Sequence, residues 1–460
     1  MPAADVSPAT IVAIATPPGR GGVGIVRVSG AREAVARIAD GVLGRQLPLP
    51  RVATVATFRG ARGEPLDQGL ALHFPAPASF TGEDVLELHG HGSPVALRLL
   101  LARCVALGAR VAEPGEFTRR AFLNGKLDLA QAEAVADLIE AATATAARAA
   151  VRSLSGEFSR EVHALVDAVT RLRMFTEATL DFPDEDIEFV RAADAAGQLD
   201  ALRGALETLL ARAATGVRLA RGLTVVLVGR PNVGKSSLLN RLVREDAAIV
   251  TPVAGTTRDT VERPVEIGGI PLTVVDTAGL RDTADEVERL GIERTWAAIR
   301  RADLALVLVD ARAAADAMHA DDAAIVAALP PSLPRLVVHN KADLAGTAQR
   351  VERRDGRTHV WLSALSGAGC DLLEREVLAV AGVASVGEDA FIARERHLAA
   401  LREAALHLDE AGAQIRERVP ALELFAESLR EAQQALSTIT GEFTADDLLG
   451  AIFSRFCIGK

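Results

Sequence analysis

Thr224-Val-Val-Leu-Val228 runs straight into Gly229-Arg-Pro-Asn-Val-Gly-Lys-Ser236 and then Ser-Leu-Leu-Asn-Arg-Leu-Val243. A β-branched run, a glycine-rich turn spelling Gly-x-x-x-x-Gly-Lys-Ser and an amphipathic helix follow one another without interruption. The glycines let backbone N–H groups wrap a phosphate chain. Lys235 brings charge to the β/γ oxygens, and the Ser236 hydroxyl is a ligand for Mg²⁺. The following helix turns its positive end on the same anion. Asn232, Val233, Gly234 and Ser237 complete the expected phosphate contacts.

The motifs on either side specify the base. Asn340-Lys341-Ala342-Asp343 stands at a strand end, where Asp343 can accept from the N1–H and the exocyclic amine of guanine; adenine offers no such donor pair. Ser363-Ala364-Leu365 follows the next strand and fits the companion loop, whose backbone meets the guanine carbonyl. Asp276-Thr277-Ala278-Gly279 ends another strand, with Asp276 expected on Mg²⁺ through water and the Gly279 N–H at the γ-phosphate. Upstream, Gly255-Thr256-Thr257-Arg258-Asp259 supplies a switch threonine, with Thr257 the expected second hydroxyl on Mg²⁺ and Thr251, Pro252, Val253 and Ala254 further expected GTP contacts. The set implies GTP and GDP as ligands.

One position departs from the usual pattern. Many regulatory GTPases place Gln directly after the Asp-x-x-Gly glycine to orient water, and here that residue is Leu280. The catalytic group must come from elsewhere. Arg258 and Arg281 are candidate fingers, and Asp282, Asp285, Glu286, Glu288 and Glu293 are candidate carboxylates, among which residue chemistry alone does not choose.

The chain around this unit has a different character. Residues 1 to about 120 read as mixed α/β: short runs at Thr10–Ala15, Gly24–Val28, Gly69–Phe74 and Asp84–His89 alternate with Gly/Pro turns, before a helix at Pro94–Leu107 capped by Ser93. Between Lys126 and Phe182 there is no proline and one glycine, Gly156, and apolar residues recur at helical spacing. Helices continue to about Ala214 and resume from about Arg394 to Phe456. Amphipathic helices need partners, so the two stretches are expected to pack as one bundle. Between them, Thr224–Val228, Leu272–Asp276, Leu304–Asp310, Arg335–Asn340 and His359–Ser363 predict a doubly wound, mainly parallel sheet. A hairpin at Gly268-Gly269 adds one antiparallel edge. The expected boundaries are 1–120, 121–220, 221–383 and 384–460.

Composition excludes several classes. The 460 residues are 49% hydrophobic and 24% charged, which is globular, and carry a formal charge of −10, against a generally basic nucleic-acid binder. Three widely spaced cysteines, Cys104, Cys370 and Cys457, build no disulfide framework and suit a reducing cytoplasm. No apolar run spans a bilayer, so no membrane association is expected. Gly19–Gly24 resembles a dinucleotide fingerprint, but Gly-Ile-Val-Arg-Val reads as strand where a helix is required. His89 and His91 lack an obvious third metal ligand and read as structural. Arg119, Arg120 and Arg173 are either RNA contacts or solvated helix charges.

Beyond the GTPase signatures, four long segments carry a family resemblance: Ala15–Gly30 (ATPPGRGGVGIVRVSG), Ser79–Gly92 (SFTGEDVLELHGHG), Pro114–Val135 (PGEFTRRAFLNGKLDLAQAEAV) and the terminal Phe456–Lys460 (FCIGK). Over essentially its whole length the chain resembles the bacterial tRNA-modification GTPase family MnmE, also called TrmE. The resemblance implies an N-terminal α/β domain that binds a tetrahydrofolate one-carbon carrier and mediates homodimerisation. It implies a helical domain interrupted by the GTPase domain, and a flavoprotein partner, MnmG (GidA). The implied reaction adds an aminomethyl-type group to carbon 5 of the wobble uridine of certain tRNAs. Folate contacts are implied at Arg27, Glu87, Lys126 and Lys460. Potassium is implied at Asn232, Thr251, Val253 and Thr256, and the catalytic carboxylate at Glu288. A monovalent cation near the β/γ bridge does the work of an arginine finger, which fits Leu280 and the lack of an evident finger. Cys457, beside Lys460, is a candidate nucleophile if its sulfur lies near the one-carbon unit or the uridine; a small buried hydrophobe is the plainer reading. Two other functions fit the GTPase motifs alone, a ribosome-assembly factor and a regulatory switch without modification chemistry.

Overall fold

The computed structural model describes residues 9–181, 194–230, 232–245, 262–276, 299–312, 326–327, 329–354, 356–380, 382, 387, 389–417, 421–442, 446–454 and 456–459, the side chains at 181, 244–245, 262–264, 276, 446–448 and 451 excepted. It divides into two compact units: residues 1–136 with 437–460, and residues 137–436.

The first unit is built on a six-stranded sheet of order β3-β4-β5-β2-β1-β6, formed by β1 (Ile11–Ile14), β2 (Gly21–Gly30), β3 (Thr54–Arg59), β4 (Pro65–Phe74), β5 (Asp84–Gly92) and β6 (Arg110–Val111). Alternation along β2 and β5 sends Val26, Val28, Leu86 and Leu88 to one face, which helices α1 (Arg32–Leu43) and α2 (Pro94–Ala106) cover through Val35, Ile38, Val42, Leu97, Leu100 and Cys104. Ser93 caps α2, accepting from the Ala96 amide, as its position before Pro94 predicts. The helix α1 and the strand β3 lie in a stretch that sequence periodicity leaves unassigned.

On the opposite face Ile11 and Ala13 meet Ala112 and Phe117, the latter on helix α3 (Glu116–Leu123). Helix α4 (Leu129–Glu140) turns Leu129 and Ala132 onto Leu449, Ile452, Phe453 and Phe456. The end of the second helical stretch thus packs against the start of the first, as expected of two stretches that share a core. The tail continues as an isolated antiparallel bridge between Pro114 and Ile458. Gly459 sits over the β1 end with φ 102°, where a Cβ would lie 2.4 Å from the Ile14 carbonyl oxygen. Only glycine fits there.

The Ser79–Gly92 and Pro114–Val135 segments of this unit meet in one polar network. Arg120 donates to both oxygens of Glu83 at 2.9 and 3.0 Å, to Glu116 at 2.8 Å and to the Ala9 carbonyl at 2.7 Å. Ser29 joins Thr81 and Glu83 at 2.7 Å, and Arg110 reaches Glu116 from the other side. Burial alone would raise the Glu116 carboxyl; the hydrogen bonds from Arg110, the Glu113 amide and Arg120 outweigh it and bring it down to about 2. A depressed carboxyl contributes stability above its ordinary pKa, here 4.5, and loses it as pH falls toward 2. Urea titrations should therefore find Glu116→Gln less stable than wild type by about 2–3 kcal/mol at pH 7, with the gap closing between pH 4.5 and 2.

The second unit holds a seven-stranded sheet of order β12-β13-β11-β10-β7-β9-β8: β7 (Leu223–Val228), β8 (Glu262–Ile267), β9 (Ile270–Asp276), β10 (Leu304–Asp310), β11 (Arg335–Asn340), β12 (Arg350–Arg354) and β13 (Arg357–Trp361). The five inner strands run parallel; β8 closes one edge antiparallel and β12 closes the other. The single antiparallel edge predicted from the sequence is therefore two. Strand β13 ends two residues before the predicted Ser363. The chain leaves β7 for β9 on one side and for β10 on the other, so the switch point lies between β7 and β10, at whose carboxyl ends ligands bind in such sheets.

Helices α5 (Ala144–Leu154), α6 (Glu157–Asp181) and those at Ala195–Arg221, Glu395–Ile415 and Leu422–Thr440 complete the unit. Phe158 stacks on Phe391 at 4.8 Å between ring centroids, and Arg212 pairs with Glu161 at 2.7 Å. Ser153 exchanges hydrogen bonds with the Ile392 backbone at 2.9 and 3.0 Å. The Thr143 hydroxyl caps α5 and donates to the Gly269 carbonyl of the β8–β9 turn at 2.9 Å.

Candidate functional site

The loop after β7 takes a shape that its residues dictate. Gly229 has φ 151°, Asn232 φ 64° and Gly234 φ 100°. Asn is among the few side chains at home in the left-handed region. Gly234 is required twice over, since a Cβ there would also stand 2.1 Å from the Asn340 amide nitrogen. Lys235 opens the helix Lys235–Glu245, is 9% exposed, and donates to the Gly229 and Arg230 carbonyls, the latter at 3.2 Å. Its charge is thereby held inside the loop. Ser236 and Ser237 are exposed on the first turn.

Asn340, at 2% exposure, fastens three motifs together. Its Nδ2 donates to the Val233 carbonyl at 2.7 Å, and its Oδ1 accepts from the Ala364 amide at 2.9 Å. Lys341, with φ 67°, lies across the loop, donating to the Asn232 carbonyl at 2.6 Å and pairing with Asp310 at 2.9 Å. Arg312 and then Lys341 hold the Asp310 carboxyl far below the usual carboxylate range, against the opposing effect of burial. Asp343 is exposed on the short helix Ala342–Ala345, free to meet a base. Across from it Ser363 and Ala364 are buried and Leu365 is 80% exposed.

Sequence reasoning missed two members of this arrangement. Asp310 anchors Lys341, and its only sequence signal is that β10 and β11 end in register, Asp310 opposite Asn340. Arg241, two turns into the helix after the loop, donates to the Leu365 carbonyl at 2.7 Å and fixes the companion loop. Among the candidates, Thr251, Pro252, Val253, Ala254, Gly255, Thr256, Thr257, Thr277, Ala278, Gly279, Glu288 and Lys460 lie outside the described residues, as does the Asp276 side chain. Arg258, Leu280, Arg281 and the remaining candidate carboxylates between 282 and 293 lie there too.

In the first unit, Arg27 and Glu87 are register partners across β2 and β5 and form an ion pair at 2.8 Å. Arg27 also lies 5.8 Å from the Phe117 ring centroid. The second oxygen of Glu87 bonds His89 at 2.9 Å, and His91 bonds Asp67 at 2.7 Å, so both histidines have carboxylate partners. Lys126 donates to the Pro77 carbonyl at 3.1 Å, and no described bond joins it to the Arg27–Glu87 pair. Cys457 is exposed, and its carbonyl accepts from the Gly115 amide at 3.4 Å. Arg119 lies on α3, Arg120 is consumed by the buried network, and Arg173 donates to Gln433 at 2.6 Å.

Strand, glycine loop and helix, tied by a buried Asn to two loops at the carboxyl ends of a doubly wound sheet, define a P-loop GTP-binding domain. The whole chain places it further. It matches the model of the MnmE helical domain over residues 129–457 and that of the GTP-binding protein TrmE N-terminus over residues 10–126. It is 60% identical over 454 residues to the tRNA modification GTPase MnmE of Azoarcus sp. (strain BH72), covering 98% of each chain. With the protein of the same description from Chromobacterium violaceum it shares 57% identity, covering 99% of each. Among solved structures, Aquifex aeolicus Era bound to GDP and aluminium fluoride is 28% identical with a TM-score of 0.27, covering 43% of this chain and 69% of that one. The chain belongs to the family of tRNA modification GTPases MnmE. No described helix is long and apolar enough to cross a membrane.

Proposed function

We propose that this chain hydrolyses GTP to GDP and phosphate in the service of tRNA modification, and that with the flavoprotein MnmG it adds an aminomethyl-type group to carbon 5 of wobble uridine from a tetrahydrofolate one-carbon unit. The observation that carries the nucleotide part is the double hydrogen bond of Asn340, which sets the phosphate loop and the base-reading loops in one frame. Lys235 lies where a phosphate chain wrapped by the loop gains its charge, and Gly234 leaves the loop open at its narrowest point. Mg²⁺, when bound, stabilises charge at the β/γ oxygens; Ser236 and Thr257 would hold it. Asp343 reads guanine. Glu288 orients the attacking water in place of the glutamine that Leu280 replaces.

Potassium would be held by Asn232, Thr251, Val253 and Thr256. Hydrolysis should fall by at least about ten-fold when sodium replaces potassium, because the smaller ion holds its water more tightly and fits a potassium-sized oxygen cage poorly. Asn232→Ala should abolish the difference while GTP affinity stays near wild type. Equal steady-state rates in the two chlorides would return the finger role to Arg258 or Arg281.

For the one-carbon step, Arg27, Glu87, Lys126 and Lys460 would hold the folate, and Cys457 would act as nucleophile. The exposed sulfur supports that reading. The unit at 1–120 would also form the homodimer, with helices at 121–220 and 384–460 flanking the GTPase domain at 221–383, all in the cytoplasm. Equilibrium binding of a reduced folate to the full chain separates this function from ribosome assembly or a bare GTP switch. Binding that Arg27→Ala weakens supports it; no binding removes the one-carbon step.

A further inference from the structure

A polar cavity lies in the unit of residues 137–436, at the β8–β9 turn. Its volume is about 400 Å³, and it is lined by Thr145, Arg148 and Arg152 of α5, by the Gly268-Gly269 turn, and by Gly387 and Ala390. Arg148 and Arg152 are four residues apart and so share one helix face. Among the described residues, no carboxylate lines the cavity. Asp389, next to Ala390, pairs with Arg212 at 3.7 Å.

Both guanidinium groups are short of partners. Arg148 has one long contact, to the Thr145 hydroxyl at 3.4 Å. Arg152 is half-buried and, among the described residues, hydrogen-bonds nothing. Arg148 is exposed, but a guanidinium taken partly out of water, as that of Arg152 is, normally finds an acceptor. Two guanidinium groups beside a hydroxyl, with no described acid between them, favour a ligand with several anionic oxygens. The volume falls in the range of small-molecule sites, about 300–1,000 Å³.

We propose that Arg148, Arg152 and Thr145 form a phosphate-binding pocket, and that its occupant bears on the turn joining β8 and β9. The turn is already tied to α5 by the Thr143–Gly269 hydrogen bond. Strand β8 starts a few residues after the Thr251–Thr257 segment, and β9 runs to Asp276. A phosphate drawn between α5 and the turn therefore reaches the two strands that carry the switch motifs. This inference does not depend on the modification reaction proposed above.

The phosphate can belong to an RNA backbone or to a small molecule, and one experiment separates the two. Full-length chain saturated with GDP, so that the P-loop is filled, is titrated with inorganic pyrophosphate by calorimetry and with labelled tRNA by fluorescence anisotropy. The Arg148→Gln/Arg152→Gln double variant should bind the recognised ligand at least about ten-fold more weakly, with GDP affinity and melting temperature near wild type. Loss confined to tRNA, with a salt slope smaller by about 2, identifies a backbone phosphate; loss confined to pyrophosphate identifies a small molecule. If wild type binds neither, or the variant binds both as wild type does, the pocket is not a phosphate site. A single Thr145→Val variant, which keeps both charges and the shape, should weaken the same ligand by less than the double variant.

Discussion

Asp343→Asn should weaken GTP binding by about 10–150-fold and improve binding of xanthosine triphosphate. The carboxylate accepts two donors from guanine, and a charge-assisted pair of this kind is worth about 1.5–3 kcal/mol. An amide in its place presents one donor and one acceptor, which suits the carbonyl of xanthine. Asp343 is exposed and forms none of the bonds that hold the loop, so the substitution should leave the melting temperature nearly unchanged. Fluorescence titration with labelled GTP and xanthosine triphosphate checks both halves. Unchanged GTP affinity would remove Asn340–Asp343 from the base-reading role.

Asn340→Ala should do damage of another kind, costing both stability and affinity. The side chain is 2% exposed and satisfies the Val233 carbonyl and the Ala364 amide. Alanine leaves both backbone groups buried without a partner, at about 1–3 kcal/mol each. The expected loss of unfolding free energy is therefore about 2–6 kcal/mol, read by urea titration of the apo chain. GTP affinity should fall at least about 30-fold, because the phosphate loop and the base loops no longer share a frame. Loss of affinity without loss of stability would mean that Asn340 touches the nucleotide instead of positioning its loops.

The contrast between these two residues shows what a sequence can disclose. Asp343 is legible because guanine chemistry demands a carboxylate at a fixed distance from the phosphate loop. The bracing by Asp310 and Arg241 is not, since each acts through a backbone or side-chain contact between elements distant in sequence: Arg241 meets Leu365 across 124 positions. The same holds in the first unit. Ala15–Gly30 and Ser79–Gly92 are recognisable as unusual, but only folding brings Arg120 to Ala9 across 111 positions and to Glu83 across 37.

The fold was readable where apolar periodicity is strong, as in Thr224–Val228 and Leu304–Asp310, both nearly fully buried. It was unreadable at β12, Arg350-Val-Glu-Arg-Arg354, where a single apolar residue faces the core and the charges suit an exposed edge. The helical tail was legible as helix, but its individual contacts were not. Its last turns have the same spacing as those of the preceding helices, and periodicity does not say which partner a face will cover. Phe453 and Phe456 chose Phe122 and Leu129.

The most direct test of the account is mass analysis of wobble uridine in bulk tRNA from a strain lacking this protein, complemented with wild type or with Asp343→Asn. The account predicts unmodified carbon 5 in the deletion, restoration by wild type and poor restoration by Asp343→Asn at cellular GTP. Full modification of carbon 5 in the deletion strain would contradict it.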